Sequence, residues 1–241
     1  MCGRYYRRSD KQKIAEVFRT GVPTTFEILP SYNVAPQTFQ PVVAFNKKSL
    51  ERELLQMRWG LVPYWASDPK VGYSTINAKA ETLTTSPVFR EAIKRRRCLV
   101  PADGFYEWQP IDRKNKQPFA FALKDGSLFA LAGLFDVWKD KQTGQALFSY
   151  SVITTDPNEL LEPFHNRMPV IVKPADYERW LAPAEPHHLP VDLLRPYPDE
   201  LMTAWRISTA VGNVKNDDTN LITPVPDESQ PGLFADDPKG P

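Results

Sequence analysis

The sequence is poor in cysteine, has no long apolar segment and carries almost no net charge. Its two cysteines, Cys2 and Cys98, among 241 residues exclude a disulfide framework and a cysteine-based zinc site. No apolar run approaches the roughly 20 residues that a membrane-spanning helix needs, and no secretion signal precedes Cys2. We therefore expect a soluble, cytoplasmic protein of a reducing compartment, without a membrane, metal or cofactor partner.

The formal charge of only +1 at neutral pH conceals two local accumulations of positive charge. Residues 1–20 carry a net charge of +4, and residues 94–97 read Lys-Arg-Arg-Arg. A basic patch on a nearly neutral protein fits a short anionic ligand better than a long one. Residues 227–241 are acidic and poor in apolar side chains, so we expect a disordered tail behind a single domain of residues 1–226.

Short strand-like segments outnumber helical ones. Strands are predicted at Pro41–Phe45, Leu54–Trp59, Cys98–Val100, Phe105–Trp108, Phe119–Leu123, Leu128–Trp138, Ser149–Thr155 and Pro169–Val172. The sequence Ser9–Gln12 resembles a capping box and starts a predicted helix near residues 10–19, and shorter helices are predicted from Ser86, Asp156 and Pro174. Because helices and strands do not alternate strictly, we expect an α+β fold, with a mixed, largely antiparallel, barrel-like β-sheet flanked by short helices. No heptad pattern suggests assembly, so we expect a monomer.

Cys2 is the most informative residue of the chain. Removal of Met1 would leave an α-amine and a thiol on the same residue, a 1,2-aminothiol that no internal cysteine forms. The amine condenses with an aldehyde to an imine, and the thiol then closes onto the imine carbon to give a thiazolidine. The amine titrates near about pH 8 and a free thiol near about 8.5, so both are usable close to neutrality. The alternative is that Met1 stays, or that Cys2 is an incidental terminal residue.

Polar side chains at three places in the chain are candidates for chemistry beside this terminus. Thr75–Glu81 alternates polar and apolar residues, so on a strand Asn77 and Lys79 share one face, either a solvated surface or the wall of a groove. Glu107 lies among aromatic residues that would raise its pKa toward the range useful for proton transfer, unless it is exposed. His165 is suited to proton transfer at neutral pH or is a structural residue.

Arginine and tryptophan residues supply candidates for ligand binding. Arg4 lies two residues beyond Cys2 and is placed to bind an anion attached to the substrate, unless it is an ordinary surface arginine. We expect Trp59 in the core, whereas Trp65 either packs or stacks on bases. The basic residues 94–97 are a further candidate for phosphate contact. Cys98 has apolar neighbours and is predicted to be a buried strand residue.

Seven short motifs occur in series over nearly the whole chain. They are Cys2-Gly3-Arg4-Tyr5, Tyr32-Asn33-Val34-Ala35-Pro36, Trp59-Gly60-Leu61 with Pro63 and Trp65, Asn77-Ala78 with Ala80-Glu81-Thr82, Asp103-Gly104 with Tyr106-Glu107-Trp108, His165-Asn166-Arg167-Met168-Pro169 and Val211-Gly212-Asn213. Together they resemble the SRAP (SOS response-associated peptidase) family, the abasic-site-shielding proteins. One such motif is weak evidence, but seven in order with a cysteine at position 2 are highly specific.

The resemblance implies a reaction, a partner and a set of site residues. Family members bind single-stranded DNA and bond covalently, through the terminal cysteine, to the ring-opened aldehyde of an abasic site, which shields the lesion as a thiazolidine. The implied active-site positions are Cys2, Asn77, Glu107 and His165, and the implied DNA-binding positions are Arg4, Pro36, Trp65 and Lys79. The glutamate position is also linked to slow reversal of the adduct. We therefore expect a DNA-associated protein, on the nucleoid if the source is bacterial.

The chain departs from the family pattern at two positions. Lys79 stands where the family commonly has arginine, and lysine lacks the planar fork that holds a phosphate through two hydrogen bonds. Ala66 follows Trp65 where some relatives carry paired tryptophans. We therefore expect a looser phosphate contact and a weaker wedge between bases.

Two other functions remain open from the sequence. In the first, Cys2 is the nucleophile of a peptidase and His165 is its base, as the family name suggests. In the second, stacking and basic side chains bind single-stranded DNA without a covalent bond, and Cys2 has no role. Within the favoured reaction, an imine would also permit β-elimination, so a weak strand-cleaving lyase activity is expected to compete with capture.

Overall fold

Two β-sheets build the framework of the protein in the computed structural model, which describes residues 2–183 and 188–226. The strands are β1 (Tyr5–Arg7), β2 (Ser31–Val34), β3 (Phe39–Asn46), β4 (Glu51–Trp59), β5 (Asn77–Lys79), β6 (Arg97–Ala102), β7 (Gly104–Pro110), β8 (Lys116–Leu123), β9 (Phe129–Lys139), β10 (Ala146–Thr155), β11 (Met168–Pro169), β12 (Ile171–Val172) and β13 (Met202–Arg206). The α-helices are α1 (Lys11–Phe18), α2 (Ala92–Arg95) and α3 (Tyr177–Leu181). The expected tail, 227–241, lies outside the described residues.

Five of the strands close into a small barrel. The order β10-β4-β3-β6-β9 returns to β10 through hydrogen bonds between β9 and β10. In this ring β4 and β10 run parallel, and the other neighbours are antiparallel. β5 adds to β10 in parallel, while β11 and β12 extend the sheet in antiparallel pairs. The mixed, largely antiparallel, barrel-like sheet of a single α+β domain is thus confirmed.

The second sheet has the order β13-β8-β7-β1-β2 and is antiparallel throughout. β1 lies between β2 and β7, where Tyr5 is opposite Val34 on one side and Phe105 on the other. This pairing brings the start of the chain to the strand that carries Glu107. Cys2, three residues before Tyr5, therefore lies close to the middle of this sheet.

Helix α1 begins where the sequence predicts, but its cap is a different residue. The side chain of Asp10 accepts a hydrogen bond from the Lys13 backbone N–H, which satisfies one of the free donors of the first turn. Ser9 instead donates both its N–H and its hydroxyl to the buried carboxylate of Asp103. The helix buries Ile14 and Phe18 against the barrel.

Alternate side chains of the barrel strands enter two apolar cores. On β6, Leu99 packs in the core that the helices cover, whereas Cys98 and Val100 pack in the core shared with the second sheet. This alternation follows from the two-residue period of a strand. The second core also contains Trp59 and Cys2, so the predictions that Trp59 and Cys98 are buried are confirmed.

Two of the predicted helices differ from the structure. The helix predicted from Ser86 is a series of turns that becomes α-helical only in α2. The helix predicted from Asp156 is only a turn. The Asn158 side chain accepts from the Leu161 N–H, as a helix cap does, and donates to the Tyr197 carbonyl, but Pro163 cannot continue a helix, because it has no N–H to donate. The segment from Pro174 does enter a helix, α3. Among the described residues, no helix is both long enough and apolar enough to span a bilayer.

Candidate active site

Cys2 lies in the core between the two sheets, immediately before β1, and its side chain is fully buried. The Asn77 side-chain amide donates a hydrogen bond of 2.9 Å to the Cys2 carbonyl oxygen. Burial raises the pKa of the Cys2 thiol, and the neighbouring carboxylate of Glu107 raises it further. The thiol is therefore protonated at neutral pH, and its sulfur needs a base before it reacts as a nucleophile.

Two buried tyrosines and a tryptophan lie beside Cys2 in the same core. The hydroxyls of Tyr5 and Tyr150 are hydrogen bonded at 2.9 Å, and the Tyr5 ring lies 5.3 Å from that of Trp59. The Trp59 indole N–H donates to the carbonyl of Ile76 at 2.8 Å. This bond fixes the backbone directly before Asn77, so the aromatic core positions the amide that holds Cys2.

Asn77 reaches the site from β5, where it pairs with Val152 of β10. The strand is shorter than the alternation over Thr75–Glu81 indicates, since Ala80 already belongs to a 3₁₀ turn. The amide nitrogen of Asn77 is engaged by Cys2, whereas its Oδ1 is buried and makes no hydrogen bond with any described residue. Asn77 thus combines a donor that Cys2 engages with a buried acceptor that no described residue satisfies.

Glu107 enters the same core from β7. It is 3% exposed and lies directly opposite Phe119 of β8. Burial raises the pKa of Glu107 to about 7, because the low-dielectric core disfavours the ionised carboxylate. Both the acid and the carboxylate are populated at neutral pH, which is what a residue that gives and then takes a proton requires.

His165 follows Phe164, whose ring packs beside the strand pair that carries Glu107. The Phe164 ring packs edge-on against Phe119 and Phe121, at 4.8 and 5.1 Å, so the residue that precedes His165 contacts the cross-strand partner of Glu107. The His165 Nδ1 accepts a hydrogen bond of 2.9 Å from the Arg167 backbone N–H. This bond places the proton of the neutral ring on Nε2, and burial lowers the pKa of His165. His165 is therefore a hydrogen-bond donor through Nε2.

Arg167 fastens the segment of His165 to the turn that follows β5 and to the end of β10. Its guanidinium binds both carboxylate oxygens of Glu81, at 2.9 and 3.0 Å. It also contacts Asp156 at 3.1 Å and the Thr154 carbonyl at 2.6 Å. The sequence does not single out Arg167 as a functional candidate, because its main partner lies 86 positions away. Its place in the motif that begins at His165 is the only signal.

The four DNA-binding candidates occupy the surface and its margin. Lys79 is exposed on β5, on the same face as Asn77, and Trp65 is 52% exposed. Pro36 is half-buried in the turn before β3. Arg4 is also half-buried and donates from Nη1 to Asn33 Oδ1 at 2.6 Å and to a backbone carbonyl. Of the four, Arg4 is thus the one held in place by several contacts.

The expectation of phosphate contacts from residues 94–97 is wrong for Arg97. This side chain is buried, and its guanidinium donates to backbone carbonyls, among them that of Trp180 at 2.6 Å. Arg96 is half-buried and forms an ion pair with Asp136. The four basic residues therefore span the end of α2 and the start of β6, and of these only Arg95 is exposed.

Comparison with known proteins agrees with this architecture. The family model described as SOS response associated peptidase (SRAP) matches residues 1–214. The abasic site processing protein YoqW of Bacillus subtilis is 42% identical over 226 residues, which cover 92% of this chain and 99% of that protein. The abasic site processing protein HMCES of Xenopus tropicalis is 35% identical over 224 residues, covering 81% of this chain and 66% of that one.

A solved structure shows the same fold. The crystal structure of a protein from Bacteroides thetaiotaomicron superposes with a TM-score of 0.82 at 27% sequence identity. The match covers 93% of this chain and all of the other. The closed barrel and second sheet are therefore an arrangement that distant sequences share.

Proposed function

The chain belongs to the SRAP family, and from that premise we propose that it captures abasic sites in single-stranded DNA as a covalent adduct of Cys2. The observation that carries this proposal is the contact of Asn77 with Cys2 beside a carboxyl group, Glu107, whose pKa burial raises to about 7. An aminothiol, a proton carrier and a hydrogen-bond donor then meet in one place. That set suits condensation with an aldehyde.

The first half of the reaction forms a carbon–nitrogen bond. After loss of Met1, the Cys2 amine adds to C1′ of the ring-opened sugar and gives a carbinolamine. Glu107 in its acid form donates a proton to the carbinolamine hydroxyl, which leaves as water, and an iminium ion remains. The carboxylate formed on Glu107 lies beside this cation and stabilises it.

The second half closes the ring. Because burial and Glu107 keep the thiol protonated, the sulfur must lose its proton as it attacks. Glu107, now a carboxylate, accepts this proton while the sulfur of Cys2 bonds to the iminium carbon. The products are a neutral thiazolidine and the carboxylic acid form of Glu107, so one water is released in total. Reversal follows the same steps backwards, and β-elimination from the iminium ion is a slow side reaction.

Asn77 and His165 serve the reaction by hydrogen bonding. Asn77 orients the terminal residue through its bond to the Cys2 carbonyl, and its free Oδ1 is available to the amine or the sugar. His165 donates from Nε2 to the sugar hydroxyl that ring opening releases. Positioning of this kind supplies much of the rate, since aminothiols and aldehydes already condense in water.

The tautomer of His165 bears on the peptidase alternative. A histidine that activates a thiol must present an unprotonated nitrogen to it. In this structure Nδ1 accepts from the Arg167 backbone, and Nε2 carries the proton. This arrangement favours hydrogen-bond donation over the activation of Cys2 for peptide cleavage.

The DNA-binding surface is proposed to run past the mouth of this site. Arg4 and Lys79 contact phosphates, and Trp65 offers an exposed ring for stacking. Pro36 lies on a turn that Gln37 ties to the carbonyl of Gly72, seven residues after Trp65. A missing base leaves room for the sugar to enter the core where Cys2 lies.

The test is covalent capture of a single-stranded oligonucleotide with one abasic site, followed by denaturing electrophoresis. The unmodified chain is expected to form a heat-stable conjugate, and the variants Cys2→Ser and Cys2→Ala are expected to form none. An oligonucleotide without the lesion is the control. Equal protection of the lesion by Cys2→Ala would instead support passive binding, and cleavage of a peptide by the unmodified chain would support the peptidase.

A further inference from the structure

Two motifs that the proposed reaction leaves without a role meet at one buried side chain. Asn33 of β2 is 4% exposed. The two N–H groups of its amide are shared among three backbone carbonyls of the loop 211–216, those of Val211 (3.2 Å), Asn213 (3.0 Å) and Asn216 (2.7 Å). Its Oδ1 accepts from Nη1 of Arg4 at 2.6 Å. One asparagine therefore joins a late loop of the chain to an arginine at its start.

The loop is fixed to β2 by a second set of contacts. The Asp217 carboxylate accepts from the Tyr32 backbone N–H and from the Ser31 hydroxyl, the latter at 3.1 Å. Within the loop, the Asn216 side chain donates to the Ala210 carbonyl at 2.9 Å. The carbonyl of Val211 in this loop accepts from both Asn33 and Arg4, the latter at 3.0 Å.

The guanidinium of Arg4 is bound along one edge. Both of its hydrogen bonds to described residues leave from Nη1, whereas Nε is buried and makes none with a described residue. The Nε–Nη2 edge is the one that matches a phosphate through two parallel hydrogen bonds. A guanidinium anchored by Nη1 presents that edge in a fixed direction, without the loss of side-chain entropy that a mobile arginine undergoes on binding.

We propose that Asn33 is a positioning residue for Arg4. By holding the loop 211–216 and Nη1 together, it directs the Nε–Nη2 edge of Arg4 at one phosphate next to the lesion. This inference rests on the proposed function, because it assigns Asn33 a part in holding single-stranded DNA for capture. It also gives the Tyr32–Pro36 and Val211–Asn213 motifs a joint role that neither shows alone.

The test measures non-covalent binding, which separates positioning from capture. In a Cys2→Ser background, the affinity for a single-stranded oligonucleotide with one abasic site is measured by fluorescence anisotropy over a series of salt concentrations. Loss of one phosphate contact on a single strand makes the slope of log K against log salt shallower by about 0.7. We expect this change in Asn33→Ala, together with a roughly tenfold or greater loss of affinity, the value of a hydrogen bond to a charged group.

Two comparisons make the result specific to Arg4. Arg4→Ala should change the slope as much as Asn33→Ala, and the double variant should change it no further, because both remove one contact. Gln117→Ala is the matched control, since the buried amide of Gln117 also donates to backbone carbonyls, those of Pro118 and Ile207. It should lower thermal stability without any effect on the salt slope.

The outcomes distinguish this inference from the function on which it rests. A folded Asn33→Ala protein with an unchanged salt slope, or additive effects in the double variant, overturns the positioning role but leaves capture by Cys2 intact. Absence of binding by the Cys2→Ser parent contradicts the proposed function, and the positioning role with it. Melting curves of every variant establish that the binding measurements compare folded proteins.

Discussion

Among single residues, Glu107 has the largest part in the proposed chemistry. It is almost fully buried, and burial raises its pKa to about 7. An exposed glutamate, with a pKa of about 4.3, is almost wholly ionised at neutrality and has no proton for a leaving hydroxyl. The position of Glu107 between the two sheets therefore has a chemical consequence, because it keeps both protonation states in use.

The pH dependence of capture tests this role. The rate should rise toward about pH 8 as the Cys2 amine loses its proton, and it should fall above pH 7 as Glu107 loses the proton that it donates. Together the two titrations give a bell-shaped dependence of the capture rate on pH, with its maximum between about pH 7 and 8. Glu107→Gln should lower the maximum by roughly a hundredfold and remove the alkaline limb. An alkaline limb that persists in Glu107→Gln, measured by quenched time courses, would assign it to another group.

At the scale of secondary-structure elements, Arg167 links the segment of His165 to its neighbours. It joins the segment of His165 to Glu81, just beyond β5, and to the end of β10. Its backbone N–H also sets the tautomer of His165. The ion pair with Glu81 is part-exposed, so its own contribution to stability is small, about 1 kcal/mol or less. We expect its larger effect to be on the position of His165 relative to β5.

Glu81→Gln should therefore slow capture more than it destabilises the fold. We expect a severalfold lower rate of adduct formation at saturating DNA, because His165 is held less firmly, with a change in unfolding free energy below about 1 kcal/mol. Glu178→Gln removes the same charge from an exposed position on α3 and is the control. Equal rates for the two variants in single-turnover assays would show that the ion pair does not position His165.

The sequence predicts the strands of the barrel better than the contacts between them. Alternation and β-branched residues locate the five barrel strands, together with β7 and β8 of the second sheet, and the aromatic surroundings of Glu107 indicate its burial. The parallel pairing of β5 with β10, however, has no local signal, because a three-residue strand is defined only by its neighbour. The contacts of Arg167 with Glu81 and of Asn33 with the loop 211–216 likewise have no local signal, because each joins residues that are far apart in the sequence.

Two of the errors have identifiable causes. Asp10 is as good a cap as Ser9, and the choice between them was made by Asp103, which engages Ser9 from more than 90 positions away. The helix predicted from Asp156 stops after one turn, because Pro163 lacks the N–H that a further helical turn would need.

At the scale of the whole molecule, closure of the barrel brings distant parts of the chain to one place. β9 lies between β6 and β10, and in its middle Gly133 lies opposite Cys98 on one side and Val152 on the other. A Cβ atom at Gly133 would lie 2.8 Å from the Cys98 sulfur and 3.2 Å from the Ser151 carbonyl oxygen. The close approach of the three strands therefore requires glycine at this point.

Gly133→Ala should destabilise the protein by about 1–3 kcal/mol, the usual cost of an added methyl group in a filled core. Urea unfolding measures this change. Gly21→Ala, where nothing lies within 4 Å of the added atom, should be close to neutral. Cys98→Ala should recover part of the loss when it is combined with Gly133→Ala. Equal stability of Gly133→Ala and the parent protein would contradict this account of the packing around Gly133.

The intact mass of the conjugate with abasic single-stranded DNA tests the central claim most directly. If the nitrogen and sulfur of Cys2 both bind the sugar carbon, the mass equals that of the chain without Met1 plus the oligonucleotide, less one water. Treatment with borohydride should leave this mass unchanged, because a thiazolidine has no carbon–nitrogen double bond to reduce. A conjugate that retains Met1, that gains two hydrogens with borohydride, or that forms equally well from Cys2→Ser would contradict the account.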